Sequence, residues 1–238
     1  MTMMMIKTIA VWILLSLFVQ YFGSAQISQD FIMRNSIGME TDISSQFSID
    51  IAVQSRFHNN IQTFNGMFFY CTPKYQISDN LSLLTDIRYG SSSLWDRTRY
   101  GIGIQYKYPM KKLKFTLRGL YQYEHFEQSL PDIGQYPDRS NIRVRLLTDY
   151  KVTKRITIFA AIEPLYRIEQ SIGRFQRIRN TIGVDWEVIK RHTITASLFI
   201  QPQYQASLQR IRYIANIGYS FELPSLYDKK KTISFGDE

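Results

Sequence analysis

The chain of 238 residues contains a single cysteine, Cys71, and only three histidines, His58, His125 and His192. One cysteine excludes an internal disulfide, a paired redox thiol and a thiolate metal site. The sequence also lacks a Walker loop, a Gly-x-Gly-x-x-Gly fingerprint and any spaced cluster of histidine and cysteine. These absences predict a protein that binds no metal and no cofactor.

Long apolar runs are scarce, and the one that exists lies at the start of the chain. Lys7 precedes a nearly continuous apolar run over 9–19, and Gly23-Ser24-Ala25 supplies small residues at the −3 and −1 positions of a cleavage site. The run is shorter than the about 20 residues that a spanning helix needs. We therefore expect residues 1–25 to be a cleaved signal peptide, with a retained anchor helix as the alternative. No cysteine follows the cleavage site, which argues against a lipid anchor.

Because residues 26–238 contain no second long apolar run, any membrane-spanning part must consist of strands. Four segments begin with Arg-x-Arg and continue as alternating apolar and polar residues, at Arg97-Thr-Arg99, Arg143-Val-Arg145, Arg177-Ile-Arg179 and Arg210-Ile-Arg212. A period of two is that of a β-strand, so both arginines of a pair point to one face. The opposite face of each segment is apolar.

The alternation marks eleven strand-like segments, at 31–43, 47–57, 62–77, 81–90, 97–108, 113–126, 141–152, 156–169, 175–188, 193–205 and 208–222. The connections between these segments alternate between very short turns and loops that are longer on average, as in outer-membrane barrels. The sequence therefore predicts an all-β fold: a single antiparallel up-and-down transmembrane β-barrel over 26–223, followed by a basic tail, 224–238. We expect ten to twelve strands and favour twelve, because single-chain bacterial barrels usually have even numbers.

The eleven marked segments conflict with the even number of strands expected. If the last strand ends in the periplasm, counting back through the turns makes segment 31–43 begin at the extracellular side, whereas the chain is expected to enter the barrel from the periplasm. An additional short strand near 26–31 would resolve this conflict and make twelve strands. A chain start that threads the lumen, or one falsely assigned segment, are the alternatives.

Tyrosine, tryptophan and phenylalanine lie near both ends of the apolar faces, for example Tyr121 and Tyr123 toward the long-loop side and Trp186 and Tyr219 toward the short-turn side. Two aromatic belts around an aliphatic band are typical of a barrel in a bilayer. A soluble exported barrel, with its apolar face inward, is the alternative. The formal net charge of +9 then indicates outer-membrane lipids, lipopolysaccharide or small anionic solutes as partners, and not nucleic acid.

Several short motifs extend over most of the chain after residue 25. They are Gln29-Asp30-Phe31, Ser36-Ile37-Gly38, Arg56-Phe57-His58-Asn59-Asn60, Tyr75-Gln76-Ile77-Ser78-Asp79-Asn80-Leu81 and the Arg-x-Arg strand starts. With these motifs the chain resembles a family of bacterial outer-membrane barrels known as domain of unknown function 2490. The resemblance implies an outer-membrane β-barrel and supplies no catalytic residues.

All four Arg-x-Arg pairs begin strands that descend from the long-loop side, so their side chains are expected to cluster inside one mouth of the barrel. Arg56, Arg88 and Arg167 are expected near the same height. Acidic residues of the same inward parity are available as partners: Glu124, Glu163, Glu169, Asp149 and Asp185. The favoured interpretation is an arginine–carboxylate network that braces a narrow lumen, because buried charges need partners. The alternative is a constriction that attracts anions.

An enzyme is the second class of function. Among the histidines only His125, near the outer end of a strand with Glu124, Glu127 and Ser129 close by in sequence, is a candidate general base for lipid deacylation or acyl transfer. Its neighbourhood reads His125-x-Glu127, whereas acyl-removing barrels of similar size carry His-x-Ser. A side chain at headgroup level is the simpler interpretation of His125.

A receptor or scaffold function through exposed loops is the third class. The loop 127–140 contains Asp132, Tyr136 and Asp138, and the loop 91–96 contains Trp95, which is equally suited to an aromatic belt. The sequence therefore predicts an outer-membrane barrel that is structural or a narrow pore for small anions. Enzymatic activity is the less favoured interpretation.

Overall fold

The computed structural model describes residues 28–92, 95–128, 138–169, 172–204 and 209–225. Eleven strands in these ranges form one closed barrel. They are β1 (Ser28–Asp42), β2 (Phe47–His58), β3 (Thr63–Gln76), β4 (Leu81–Ser91), β5 (Trp95–Met110), β6 (Leu113–Gln128), β7 (Arg139–Lys151), β8 (Ile156–Glu169), β9 (Ile172–Ile189), β10 (His192–Tyr204) and β11 (Gln209–Glu222). The expected signal peptide 1–25 and residues 226–238 of the expected tail lie outside the described residues. No helix in the described part of the chain is long and apolar enough to cross a membrane.

The connections alternate between the two ends of the barrel. The long-loop end carries the connections after β2, β4, β6, β8 and β10, of which 129–138 is the longest. The short-turn end carries 43–46, 77–80, 111–112, 152–155 and 190–191. At the long-loop end the backbone N–H of Asn59 donates to Asp30 Oδ1, and the N–H of Phe31 donates to Asn60 Oδ1. These two bonds attach the β2–β3 loop to the beginning of β1.

The barrel closes through a parallel pair, whereas every other neighbouring pair is antiparallel. The β1–β11 register runs from Ser28↔Arg210 to Glu40↔Glu222. The expected all-β, up-and-down barrel of ten to twelve strands is confirmed, and its strand number is eleven, one fewer than the favoured twelve. Residues 28–31, expected to lie in a separate strand, belong to β1, and a parallel pairing with β11 removes the need for a twelfth strand.

Strand β5 shows how the alternation divides the barrel into two surfaces. Its outward side chains, Tyr100, Ile102, Ile104, Tyr106 and Tyr108, are 45–61% exposed. Arg99, on the inward face of the same strand, is only 4% exposed. Isoleucine, leucine and tyrosine are likewise exposed on the other strands. The barrel therefore has an apolar outside and a charged inside, as the period-two pattern predicts.

Inside the barrel, side chains pack closely in the middle of the lumen. Leu84 and Leu120 point inward and are almost fully buried. A Cβ on Gly103 would lie 2.3 Å from the backbone oxygen of Gly119 and 2.7 Å from Leu120 Cδ1. At Gly101 a Cβ would approach Asp86 and Gln122. These inward glycines therefore make room for the neighbouring strands and for Leu120, Asp86 and Gln122.

We expect Gly103→Ala to destabilise the barrel by about 1–3 kcal/mol, because the added methyl group forces backbone and side chains apart in a packed interior. Gly119→Ala is the matched control, because the nearest atom to its Cβ is Ile104 Cγ2 at 4.0 Å. Guanidinium unfolding of the refolded barrel in detergent measures both variants. Equal stabilities of the two variants would contradict the packing described around Gly103.

Candidate functional site

A cavity lies in the long-loop half of the lumen. Its volume is about 760 Å³, and all eleven strands contribute to its wall. Nine arginines line it: Arg34, Arg56, Arg88, Arg97, Arg99, Arg143, Arg177, Arg179 and Arg212. Only two carboxylates, those of Asp30 and Glu124, share the lining. The cavity wall therefore carries a large excess of positive charge.

Most arginines of the Arg-x-Arg pairs reach this cavity because alternate strand residues share the inward face. Arg97 and Arg99 lie on β5, Arg177 and Arg179 on β9, and Arg143 and Arg212 on β7 and β11. Arg145 follows Arg143 on the same face of β7 but does not line the cavity. Arg210 is placed in β11, and its side chain lies outside what the structure describes.

A connected network neutralises the arginines on one side of the cavity. Arg99 Nη2 contacts Asp86 Oδ2 at 2.6 Å, and Gln122 Nε2 donates to the same oxygen at 2.5 Å. Arg143 reaches Glu163 Oε1 at 2.5 Å and Gln122 Oε1 at 3.1 Å.

The network continues to β9 and β10. Arg179 Nη1 is 3.2 Å from Glu163 Oε1, and its Nε donates to Gln201 at 3.1 Å. Glu124 lies 3.8 Å from both Arg97 and Arg99. This side of the lumen has the charge pairing that a brace requires.

The remaining acidic candidates are distributed along the lumen. Asp149 pairs with Lys114 at 2.7 Å, and Asp185 accepts a hydrogen bond from Thr195 Oγ1 at 2.6 Å. Both lie in the short-turn half, away from the cavity lining. The backbone of Glu169 is in β8, and its side chain is outside the described residues. Asp149 and Asp185 therefore do not belong to the arginine cavity.

Several residues of the cavity were not predicted from the sequence. Arg34 on β1 and Tyr70 on β3 point into it, together with Gln54 and Asn65. The inward face of β1 interrupts its polar pattern with Ile32, which is buried there. Counting from Asp30 in steps of two would have found Arg34, but no feature of the sequence indicated that a tyrosine on β3 faces inward.

His125 lies on the outer face near the long-loop end. Its Nδ1 is 2.8 Å from Asp138 Oδ1, and Asp138 also accepts a hydrogen bond from the Tyr123 hydroxyl. That bond from Tyr123, followed by the one to His125, lowers the pKa of Asp138. Asp138 therefore stays ionised at neutral pH and holds the imidazole in one orientation. Trp95 and residues 129–137, considered for a receptor surface, lie outside the described side chains.

Among the described residues, no group of three or more histidine, cysteine, aspartate or glutamate side chains is arranged to hold a metal ion. Cys71 is a free thiol on β3.

The fold is a closed β-barrel with a charged lumen. The chain belongs to the family described as "Protein of unknown function (DUF2490)", whose model matches residues 35–212. No curated protein sequence matches the chain.

Porins are among the solved structures that match the chain. The NanC porin is 13% identical with a TM-score of 0.50, over 80% of this chain and 99% of that one. A KdgM porin in complex with disordered oligogalacturonate is 13% identical with a TM-score of 0.46, over 77% and 94%. An anion-selective porin from Comamonas acidovorans is 15% identical with a TM-score of 0.35, over 74% and 55%. The similarity to the NanC porin shows a common fold.

We expect Glu163→Gln to lower the free energy of unfolding by on the order of 3 kcal/mol, because Arg143 and Arg179 lose the buried carboxylate that they share. Denaturant unfolding in detergent measures the change. Asp79→Asn, in an exposed short turn, is the control and should leave stability unchanged. A Glu163→Gln barrel as stable as the wild type would show that the network does not brace the lumen.

Proposed function

We propose that the protein is an outer-membrane barrel whose arginine-lined cavity admits small anionic solutes. The observation that carries the proposal is the cavity of about 760 Å³ with nine arginines and only two carboxylates in its lining. Rings of arginine create a positive potential that concentrates anions at a narrow entrance. The NanC porin, which has a similar fold, agrees by its name with a pore.

The outer-membrane location is supported by the apolar outer surface. Exposed aliphatic side chains such as Ile102 and Ile182 lie between aromatic ones such as Tyr100 and Trp186. Such a surface suits contact with lipid and with lipopolysaccharide, whereas a soluble barrel turns its apolar side chains inward. The amino-terminal segment 1–25 is proposed to direct export and to be removed.

Planar-bilayer recordings of the purified protein test the proposal. We expect single-channel conductance with a preference for chloride over potassium, measured as the reversal potential in a salt gradient. The double variant Arg97→Gln/Arg177→Gln should reduce the preference for chloride by about threefold or more, because two positive charges of the cavity are lost. Lys154→Gln, in an exposed short turn, removes a charge far from the cavity and should leave the preference unchanged. A barrel that never conducts would refute the pore.

A second candidate function rests on the hydrogen bond between His125 and Asp138. With Nδ1 donating to the carboxylate, Nε2 is the basic nitrogen of the ring, and the described residues give it no hydrogen-bond partner. Such a histidine at the outer rim can deprotonate a water molecule that attacks a lipid ester, releasing a fatty acid and an alcohol. The site therefore supports lipid deacylation as the alternative activity.

Lipid analysis of cells tests this alternative. A His125→Ala strain should retain acyl chains that the wild type removes from lipid A or phospholipids, visible as mass differences of one fatty acyl group. His192→Ala is the control, because His192 contacts Tyr219 at the other end of the barrel. Identical lipid profiles in the wild type and the His125→Ala strain would exclude the deacylase.

A further inference from the structure

The arginines of the cavity are compensated in two different ways. On the β5–β9 side, Arg99, Arg143 and Arg179 have carboxylate partners. On the β1–β4 side, Arg34, Arg56 and Arg88 have none within ion-pair distance among the described residues, although all three line the cavity. The uncompensated charge is therefore concentrated on one wall.

Aromatic rings support these three guanidinium groups. The guanidinium carbon of Arg56 lies 3.7 Å from the centroid of the Phe68 ring, and that of Arg88 lies 4.0 Å from the Tyr70 ring. Arg34 is 5.8 Å from the centroid of Phe199. A nearby ring attracts the cation but does not neutralise its charge.

Hydrogen bonds hold part of this wall in position. Arg56 donates through Nε to Gln54 Oε1 at 2.8 Å and through Nη2 to the Tyr70 hydroxyl at 2.5 Å. The Tyr70 hydroxyl donates in turn to Gln54 Oε1 at 2.8 Å. The buried Nε atoms of Arg34 and Arg88 have no acceptor among the described residues, and the same holds for the Nε atoms of Arg99 and Arg143. Buried charged donors without an acceptor are costly, and an anion in the cavity would supply one.

The strand register brings the like charges next to each other. Arg34 pairs with Arg56 across β1 and β2, and Arg88 pairs with Arg99 across β4 and β5. Tyr70 is the register partner of Arg88, and Arg34, Arg56 and Arg88 all act electrostatically on its hydroxyl. Like charges directly opposite each other in a sheet are unfavourable. A bound counter-anion between them turns this repulsion into attraction.

We propose that Arg34, Arg56 and Arg88, with Tyr70 holding Arg56 in position, form a binding site for a tetrahedral oxyanion with two negative charges, namely a phosphate group. A carboxylate has two acceptor oxygens, whereas a phosphate group has three or four and so receives bonds from three guanidinium groups at once. The cavity volume leaves room for a larger solute attached to the phosphate group. The proposal rests on the proposed function only in requiring that anions reach the cavity.

Isothermal titration calorimetry of the full-length barrel, refolded in detergent at constant ionic strength, tests the site. Inorganic phosphate and glucose 6-phosphate are the two phosphate probes, and acetate is the carboxylate probe. We expect saturable one-to-one binding of at least one phosphate probe, tighter than binding of acetate by about tenfold or more. Tighter binding of glucose 6-phosphate assigns the site to phosphorylated solutes, and tighter binding of inorganic phosphate assigns it to the free ion.

Single variants separate a discrete site from a general positive field. Arg88→Gln should weaken phosphate binding by about tenfold or more, because it removes one of the three guanidinium groups that bind the phosphate. Arg88→Lys keeps the positive charge but lacks the planar guanidinium group, and its phosphate affinity should still fall several-fold. Arg177→Gln removes one charge from β9, across the barrel, and should lose at most about threefold. Circular dichroism and the heat-dependent shift of the folded band in gels confirm that each variant is folded.

Equal losses in Arg88→Gln and Arg177→Gln, or no phosphate binding by the folded wild type, would overturn the site. Neither result affects anion preference in bilayers, so the pore proposal would stand. Conversely, a barrel that binds phosphate but never conducts refutes the pore and retains the site.

Discussion

The constraint on which the structure depends is that a sheet with an apolar outer face must have no open edge. Unpaired backbone N–H and C=O groups in an apolar environment are costly, and closure is the only way in which strands avoid them. Here closure requires β1 and β11 to pair in parallel, since both run away from the long-loop end. That seam brings Arg34 of β1 into the same lumen as the arginines of β5, β7 and β9.

Closing the barrel concentrates positive charge, because every strand turns one face into the same narrow space. The arginines of the lumen have two kinds of neighbour. Asp86 and Glu163 are placed between arginines of the β5–β9 side, with Gln122 and Gln201 completing their hydrogen bonds. On β3, the rings of Phe68 and Tyr70 lie close to Arg56 and Arg88 without neutralising their charge. Arginines with a carboxylate partner and arginines beside aromatic rings therefore line the same lumen.

Much of the fold was predictable because the residues of a barrel strand alternate between the lumen and the outer surface, which gives the sequence a period of two. Tyr100, Ile102 and Ile104 alternate with Arg99, Gly101 and Gly103, and no other regular structure explains that pattern. The strand number was predicted less well. Whether residues 28–31 form their own strand or begin β1 depends on the partner that they find in β11, which is nearly two hundred residues away. Local patterns contain no information on that pairing.

The sequence by itself determined which residues of the Arg-x-Arg strands face inward, that the outside is apolar and that arginines gather near one end, because strand parity is a local property of the backbone. Only the tertiary structure decided which arginines share carboxylates and which lie on aromatic rings. The partners of Arg56 and Arg88 come from the neighbouring strand β3, through Phe68 and Tyr70, while Arg34 reaches Phe199 on β10. Such contacts depend on the register and closure of the whole sheet, so they exist only once all eleven strands have paired.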